Sequence, residues 1–444
     1  MSASSATGTS RTSWRWAIAV VCALGLAINY IDRSAISVSL PYMTEDLHIS
    51  ETQQGLILSA FSWSYAVMQI PAGSLIDKFG ERLMFGAAVF VWSLCTGLTF
   101  LANSFAVLFG LRLGLGIGEA GAYPAAAKTV SRWFPQRERA RGTSVYDSGA
   151  RIGSAVATPV IAGIIGLWGW HYVFLIAGIL GILWAIGWWA LYRRPEAFFG
   201  RVSDGELAHI NEGREEEARL TAQASTDTAI PVRILLRKRA VWAMMIGFFC
   251  VNFAVTFFLT WFPTYLVDER GFDLLKLGVF GSIPPICAIV GSWCGGLVGD
   301  FLLGRGWSLT RTRKTCLVVG MVLTAFIGAA AAVPTAGMAL TLMSISYFGS
   351  AFTIVTIWCL PGDFVPTSTV GVLGGTQNFF SNIGSALNPI VVGALYGATG
   401  AFGLPLLLSG VVCLVGACVF ALMLPNVAQI DFSRDLTRAQ GATA

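Results

Sequence analysis

Charge is what this sequence has least of. Its 444 residues carry 29 Lys and Arg and 24 Asp and Glu, so 12% are charged, about half the ~25% of an average soluble domain. That shortage excludes an ordinary water-soluble protein. Histidine is scarcer still: His48, His171 and His209 sit in loops or at helix ends, too dispersed to form a ligand cluster. The nine cysteines, Cys22, Cys95 and Cys287 among them, are scattered through apolar stretches with no CxxC pair. They read as small core hydrophobes, and neither a disulfide nor a metal site is expected. Without a nucleophile–base pair or a metal cluster, enzyme chemistry has no footing and no cofactor is implied.

What the chain has instead is apolar bulk: 55% hydrophobic residues, 15 Trp and 29 Phe, with a mean hydropathy of +0.68. Stretches long enough to span a bilayer recur at roughly 16–40, 53–76, 83–103, 106–130, 142–166 and 170–192. A second set falls at roughly 240–266, 274–302, 315–334, 337–361, 368–397 and 401–424. The expected fold is therefore all-α and membrane-embedded, with twelve transmembrane helices in two pseudo-symmetric six-helix bundles. The first span carries Asp32 and Arg33 and has no small-residue cleavage pattern after it, so it is read as retained, not as a signal peptide. The bundles would occupy 16–192 and 240–424, joined by a linker at 193–239 and flanked by tails at 1–15 and 425–444. The linker includes EGREEEAR (212–219) and ASTDTA (224–229), which suggest a short amphipathic helix followed by flexible chain.

Charge placement gives orientation. Of the 29 Lys and Arg, all but six fall in segments that are cytoplasmic if both termini are inside. Arg270 and Lys276 fall outside; Arg33, Arg112, Lys128 and Arg151 lie within spans or at their ends. This is the positive-inside pattern. The net charge of +5 thus reports topology, and no nucleic acid partner is implied.

The halves repeat one another. GSLIDKFGERLMF (73–85) between spans 2 and 3 matches GGLVGDFLLGRGWSLTRTRK (295–314) between spans 8 and 9. Each places Gly, Leu and then Asp at a helix end before a basic turn, with Gly73–Asp77 and Gly296–Asp300 equally spaced. Duplicated six-span halves are the architecture of secondary transporters, whose site lies between the halves.

Six charges stand inside the first-half spans: Asp32, Arg33, Arg112, Glu119, Asp147 and Arg151. At roughly 2.5–3.5 kcal/mol each on an insertion scale, they would cost more unpaired than a typical whole stability of about 5–15 kcal/mol. They must face a watery cavity or one another. In LRLGLGIGEAGAYP (111–124), Arg112 and Glu119 are two turns apart on one side of a helix, about 10 Å of rise and too far for contact. Asp147 and Arg151, four apart, either satisfy each other or serve the cavity. The run Gly116-x-Gly118-x-x-Gly121 copies a dinucleotide fingerprint, but it follows no strand and lies within a membrane-length segment, so it reads as helix packing.

The 73–85 loop resembles the signature between helices 2 and 3 of the major facilitator superfamily. The resemblance implies that Asp77, Gly80 and Arg82, with Asp300 in a weaker role, form a latch holding the outward-open state. NYIDRSAISVSLP (29–41), RLGLGIGEAGAYP (112–124), FFLTWFPTYL (257–266) and NFFSNIGSALNP (378–389) resemble its anion:cation symporters. Those carry galactonate, glucarate, tartrate, aromatic carboxylates and sulfonates, and include the animal sialin and vesicular glutamate transporters. The resemblance implies proton-coupling roles for Asp32 and Glu119, with Arg112 as direct anion ligand and Arg33 modulating Asp32. It places Tyr30, Tyr65, Asn252 and Asn378 around the cavity. The chain departs from the family where Asp147 and Arg151 replace residues often neutral. If Arg151 reaches the cavity, it favours a compact anion with a second acidic group.

The function expected is proton-coupled uptake of a small organic anion by alternating access. The setting would be a bacterial inner membrane, with the chain a lipid-embedded monomer with cytoplasmic termini. An exchanger, facilitator or exporter without net proton symport is the alternative, and a membrane sensor or enzyme a remoter one. The sequence does not identify the anion.

Overall fold

The computed structural model describes residues 13–135, 138–197, 202–211, 230–365, 367–430 and 432. Both tails beyond these limits, and linker residues 212–229 with the EGREEEAR and ASTDTA runs, lie outside the described residues. Twelve long helices dominate. In the first half they are α1 (Trp14–Leu47), α2 (Glu51–Phe79), α3 (Glu81–Leu98), α4 (Phe105–Trp133), α5 (Arg139–Trp168) and α6 (Trp170–Leu191). In the second they are α7 (Arg239–Thr260), α8 (Leu274–Gly304), α9 (Leu309–Ala329), α10 (Ala336–Phe364), α11 (Thr367–Thr399) and α12 (Gly403–Met423).

Eleven of these are long and apolar enough to cross a membrane. The exception is α2, which is long enough at 29 residues but diluted by polar side chains. Gln54, Ser59 and Ser62 are buried there, because α2 faces the other half of the protein and the cavity between them. A helix turned toward a neighbour has less need of apolar surface than one facing lipid on most sides.

The helix pairings repeat. In the first half α1 packs on α5, α2 on α4 and α3 on α6; in the second α7 packs on α11, α8 on α10 and α9 on α12. Across the halves, α2 meets α11 and α5 meets the first turns of α8. These two contacts are equivalents under the same repeat, as a pseudo-two-fold relation requires.

Three apolar clusters show where the halves are joined. One gathers first-half residues such as Phe85, Trp133 and Trp188, with Ile210 from the segment that follows. Another joins second-half residues such as Met244, Phe364 and Phe420 to Ile230, Ile234 and Leu235 just before them and Val427 and Phe432 just after. The third spans both, with Ile36, Leu58 and Ile161 packed with Phe257, Trp261 and Val392. That shared cluster lies toward the end of the bundle away from Trp14. There Gly55 of α2 packs on the Pro389 backbone of α11, and Thr158 of α5 approaches Gly281. The halves are thus sealed together at the end remote from Trp14.

Candidate functional site

The site begins with a flaw in α4. Its helical pattern loosens at Ala120–Gly121 and resumes at Ala122. The sequence explains the break: Pro124 has no N–H to give the Ala120 carbonyl, and Gly121 adds backbone freedom. Glu119 is therefore the last residue of the first helical stretch, deep in the bundle. Just before it, Gly116 lies against Ser64 and Phe61 of α2, and Gly118 against the Trp92 backbone of α3. A Cβ at either position would collide with its neighbour. The fingerprint-like glycines thus press α4 onto α2 and α3, as helix packing demands.

That approach builds an ionic cluster. Arg33 Nε donates to Glu119 Oε2 at 2.7 Å, with the Glu119 side chain wholly buried. The Arg33 guanidinium also lies over the rings of Tyr30, Phe61 and Tyr65, 5.1, 4.8 and 5.0 Å from their centroids. Phe61 serves a second cation, because the Arg112 guanidinium stands 5.2 Å from the same centroid. Arg112 is buried, and its Nε has no hydrogen-bond partner. Asp32, 1% exposed, accepts no hydrogen bond at either oxygen. Its polar neighbours are Trp92 and Thr96 of α3, neither aligned to donate. Arg33 thus pairs with Glu119, 86 residues away, and not with its chain neighbour Asp32.

Two of the cavities between the halves are lined by charged residues. The smaller, about 90 Å³, is lined by Arg33, Tyr65 and Arg112 on one side and by Thr260, Asn382 and Ser385 on the other. The larger, about 250 Å³, is bounded by Tyr30, Tyr123, Asp147, Arg151, Ser292 and Ser350, with further apolar walls. Leu259 lines both, so the chambers abut. Arg151 pairs with Asp147 at 3.0 Å and also stands in the larger chamber's wall.

Asn252 and Asn378 line neither cavity. Asn252 donates to the Ser381 carbonyl within the second half, and Asn378 donates to Gln69 of α2 at 3.2 Å. Asn378 therefore bridges the halves, while Asn382, one turn further along α11, reaches the chamber. Sequence reasoning passed over Asn382, although both asparagines stood in the same quoted run. Spacing put them on one face, and only depth in the bundle separates them.

The turn between α2 and α3 is built around Glu81. Gly80 adopts φ +85°, a conformation only glycine takes freely, and Glu81 opens α3, where a carboxylate complements the helix dipole. Glu81 is buried and holds Arg132 Nε at 3.0 Å and the Tyr192 hydroxyl at 3.0 Å. Arg82 is turned to the Trp189 carbonyl, 2.6 Å away, within its own half. The Asp77 side chain lies outside the described residues, and Asp300 is exposed. In the second half a half-buried ion pair joins Arg313 Nε to Asp363 at 2.8 Å. Neither Glu81 nor Asp363 was singled out from sequence, though the carboxylate following Gly80 was the available signal.

The sequence profile of the Major Facilitator Superfamily matches residues 22–389. The chain belongs to that superfamily. Its relatives include a "Probable galactarate/D-glucarate transporter" of Bacillus subtilis, 32% identical over 93% of this chain and 91% of the relative. The "D-galactonate transporter" of Escherichia coli is 33% identical over 94% and 97%. A "Probable sulfoacetate transporter" of Cupriavidus necator is 34% identical over 92% and 93%. Among solved structures, a bacterial homologue of the human lysosomal transporter Spinster, inward-facing and unoccupied, superposes with a TM-score of 0.77. It is 19% identical and covers 94% of this chain and 98% of its own. This major facilitator is thus a multi-pass membrane transporter, not an enzyme.

Proposed function

We propose that this facilitator takes up a small organic anion together with protons. The observation that carries the reading is the Arg33–Glu119 pair at 2.7 Å beside Arg112, whose Nε is unpartnered, on the wall of a cavity between the halves. The relatives' names support the anion, and guanidiniums bind carboxylate or sulfonate through a fixed fork of donors.

The geometry supplies a coupling route. In the empty site Arg33 compensates Glu119. An anion that enters the smaller chamber engages Arg112 and competes for Arg33. Glu119 is then a buried carboxylate without its cation, a state costing about 3–5 kcal/mol, and a proton removes that cost. Anion and proton bind together, and each helps the other. Asp32, buried beside Trp92 and Thr96, is assigned as the second proton carrier. Tyr30 and Tyr65 hold Arg33 in place through their ring faces, while Asn252 braces α7 on α11 and Asn378 braces α11 on α2.

Asp77, Gly80, Arg82 and Asp300 are assigned to a latch at the terminal end of the bundle. Closing that end would free Arg82 from Trp189 for a partner across the halves. The basic residues flanking the spans favour cytoplasmic termini, and the protein is assigned to a bacterial inner membrane as a monomer. Inward proton movement also offsets the inside-negative potential that repels an anion.

Reconstituted protein tests the reading. Uptake of galactonate, galactarate and sulfoacetate into proteoliposomes is compared with and without an inward proton gradient. At least one should accumulate above equilibrium only with the gradient. Accumulation indifferent to the gradient and to uncouplers would favour an exchanger or facilitator instead.

A further inference from the structure

Arg151 is poorly explained as a stabilising residue. Its pair with Asp147 is an i,i+4 contact with side chains 45% and 37% exposed, and such pairs return about 0.3–0.5 kcal/mol. Placing two charges within a span costs several times that. The pair also sits where a ligand would: Asp147, Arg151 and Ser292 share the wall of the 250 Å³ chamber. Arg151 Nε is held by Asp147, and Nη1 donates across the halves to Ser292 Oγ of α8 at 3.2 Å. Nε and Nη1 are thus held by these bonds, in a side chain that lines the chamber. Tyr30 joins the two chambers physically, since its ring faces Arg33 and also lines the chamber of Arg151. The protein thus offers two cationic poles on either side of a shared wall, in adjoining spaces whose summed size suits a small ligand.

We propose that Arg151 receives a second acidic group, so that the transported anion carries two acids, one in each chamber. This inference rests on the anion-transport reading above and adds to it the substrate class. The second acid displaces Ser292 as the acceptor for Nη1, replacing a neutral hydroxyl acceptor by an anionic one, so that both partners of the new bond are charged. Asp147 keeps the guanidinium aimed while the site is empty and competes with the ligand when it is full.

Matched pairs of probes that differ by one acid test it: galactarate against galactonate, succinate against butyrate, and sulfoacetate against methanesulfonate. Binding to the purified full-length protein is measured by calorimetry for the parent, Arg151→Gln, Arg151→Lys and Asp147→Asn. In the parent, the two-acid member of at least one pair should bind about ten-fold tighter or better, the range of one charged hydrogen bond. Arg151→Gln should bring that ratio close to one, and Arg151→Lys should restore part of it. Asp147→Asn should tighten the two-acid probe several-fold, because a competitor is removed. If Arg151→Gln does not fold, Asp147→Asn decides, and no gain in affinity overturns the proposal. So does a parent that binds one-acid probes as tightly as their partners, or an Arg151→Gln protein that keeps the ratio. Binding of no probe at all would instead overturn the anion reading itself.

Discussion

In the first half, α1 and α4 bring Asp32, Arg33, Arg112 and Glu119 together, and α5 adds Asp147 and Arg151. The facing wall of the smaller chamber comes from α7 and α11 and consists of Thr256, Leu259, Thr260, Asn382 and Ser385. The helix pairings of the halves match one for one, yet one wall is ionic and the other neutral. The difference suits a rocking machine. Breaking a buried ion pair costs about 3–5 kcal/mol, whereas a neutral hydrogen bond nets about 0.5–1.5 kcal/mol. Among the described residues the ion pairs lie within one half or the other, and the polar bonds between the halves include Asn378–Gln69 and Arg151–Ser292, each with a neutral acceptor. Charge handling and movement are thereby assigned to different surfaces.

The sharpest way to break this comparison is to neutralise one residue on each wall. Arg112→Gln should lower anion uptake by about 100-fold or more, because it removes a buried cation from its anion. Equal damage from Asn382→Ala would show that the walls share the work. A second test uses pH. If a proton joins Glu119 when the anion takes its cation, anion affinity rises as pH falls, by at most about ten-fold per unit for one linked proton. A flat profile across pH 5–8 would place coupling elsewhere. Next in size, Asn382→Ala or Thr260→Val should raise the half-saturating anion concentration about three- to ten-fold, the scale of one neutral hydrogen bond. The smallest effect is expected at Arg313–Asp363, in the second half and away from both chambers. Asp363→Asn should lower thermal stability by about 1–2 kcal/mol with transport per folded molecule preserved, read by melting temperature and uptake together.

Much of this was legible in the sequence because membrane helices announce themselves by length and apolarity, and because charges in such helices demand a reason. The repeat, the two halves and the ionic load of the first half follow from that. The partnership of Arg33 with Glu119 does not, since spacing along one helix says nothing about which face of another helix it meets. The same limit hid Asn382 behind Asn378. Glu81 was hidden differently: its neighbours Asp77 and Arg82 drew attention as the more familiar charges, while burial by Arg132 and Tyr192 depends on α4 and α6 ending beside it. The break in α4 was encoded in Glu119-Ala120-Gly121-Ala122-Tyr123-Pro124, but its consequence needed the depth of Glu119 in the bundle.

The central claim is that anion and carboxylate compete for the guanidiniums of the first half, so that binding one admits a proton to the other. Proton uptake by the detergent-purified protein on adding a saturating organic anion measures this directly, with a pH-indicator dye in weak buffer. The parent should take up protons in proportion to anion bound, and Glu119→Gln should lose most of that uptake while still binding the anion. A parent that binds anion with no proton uptake, or a Glu119→Gln protein that takes up as many as the parent, would contradict the account.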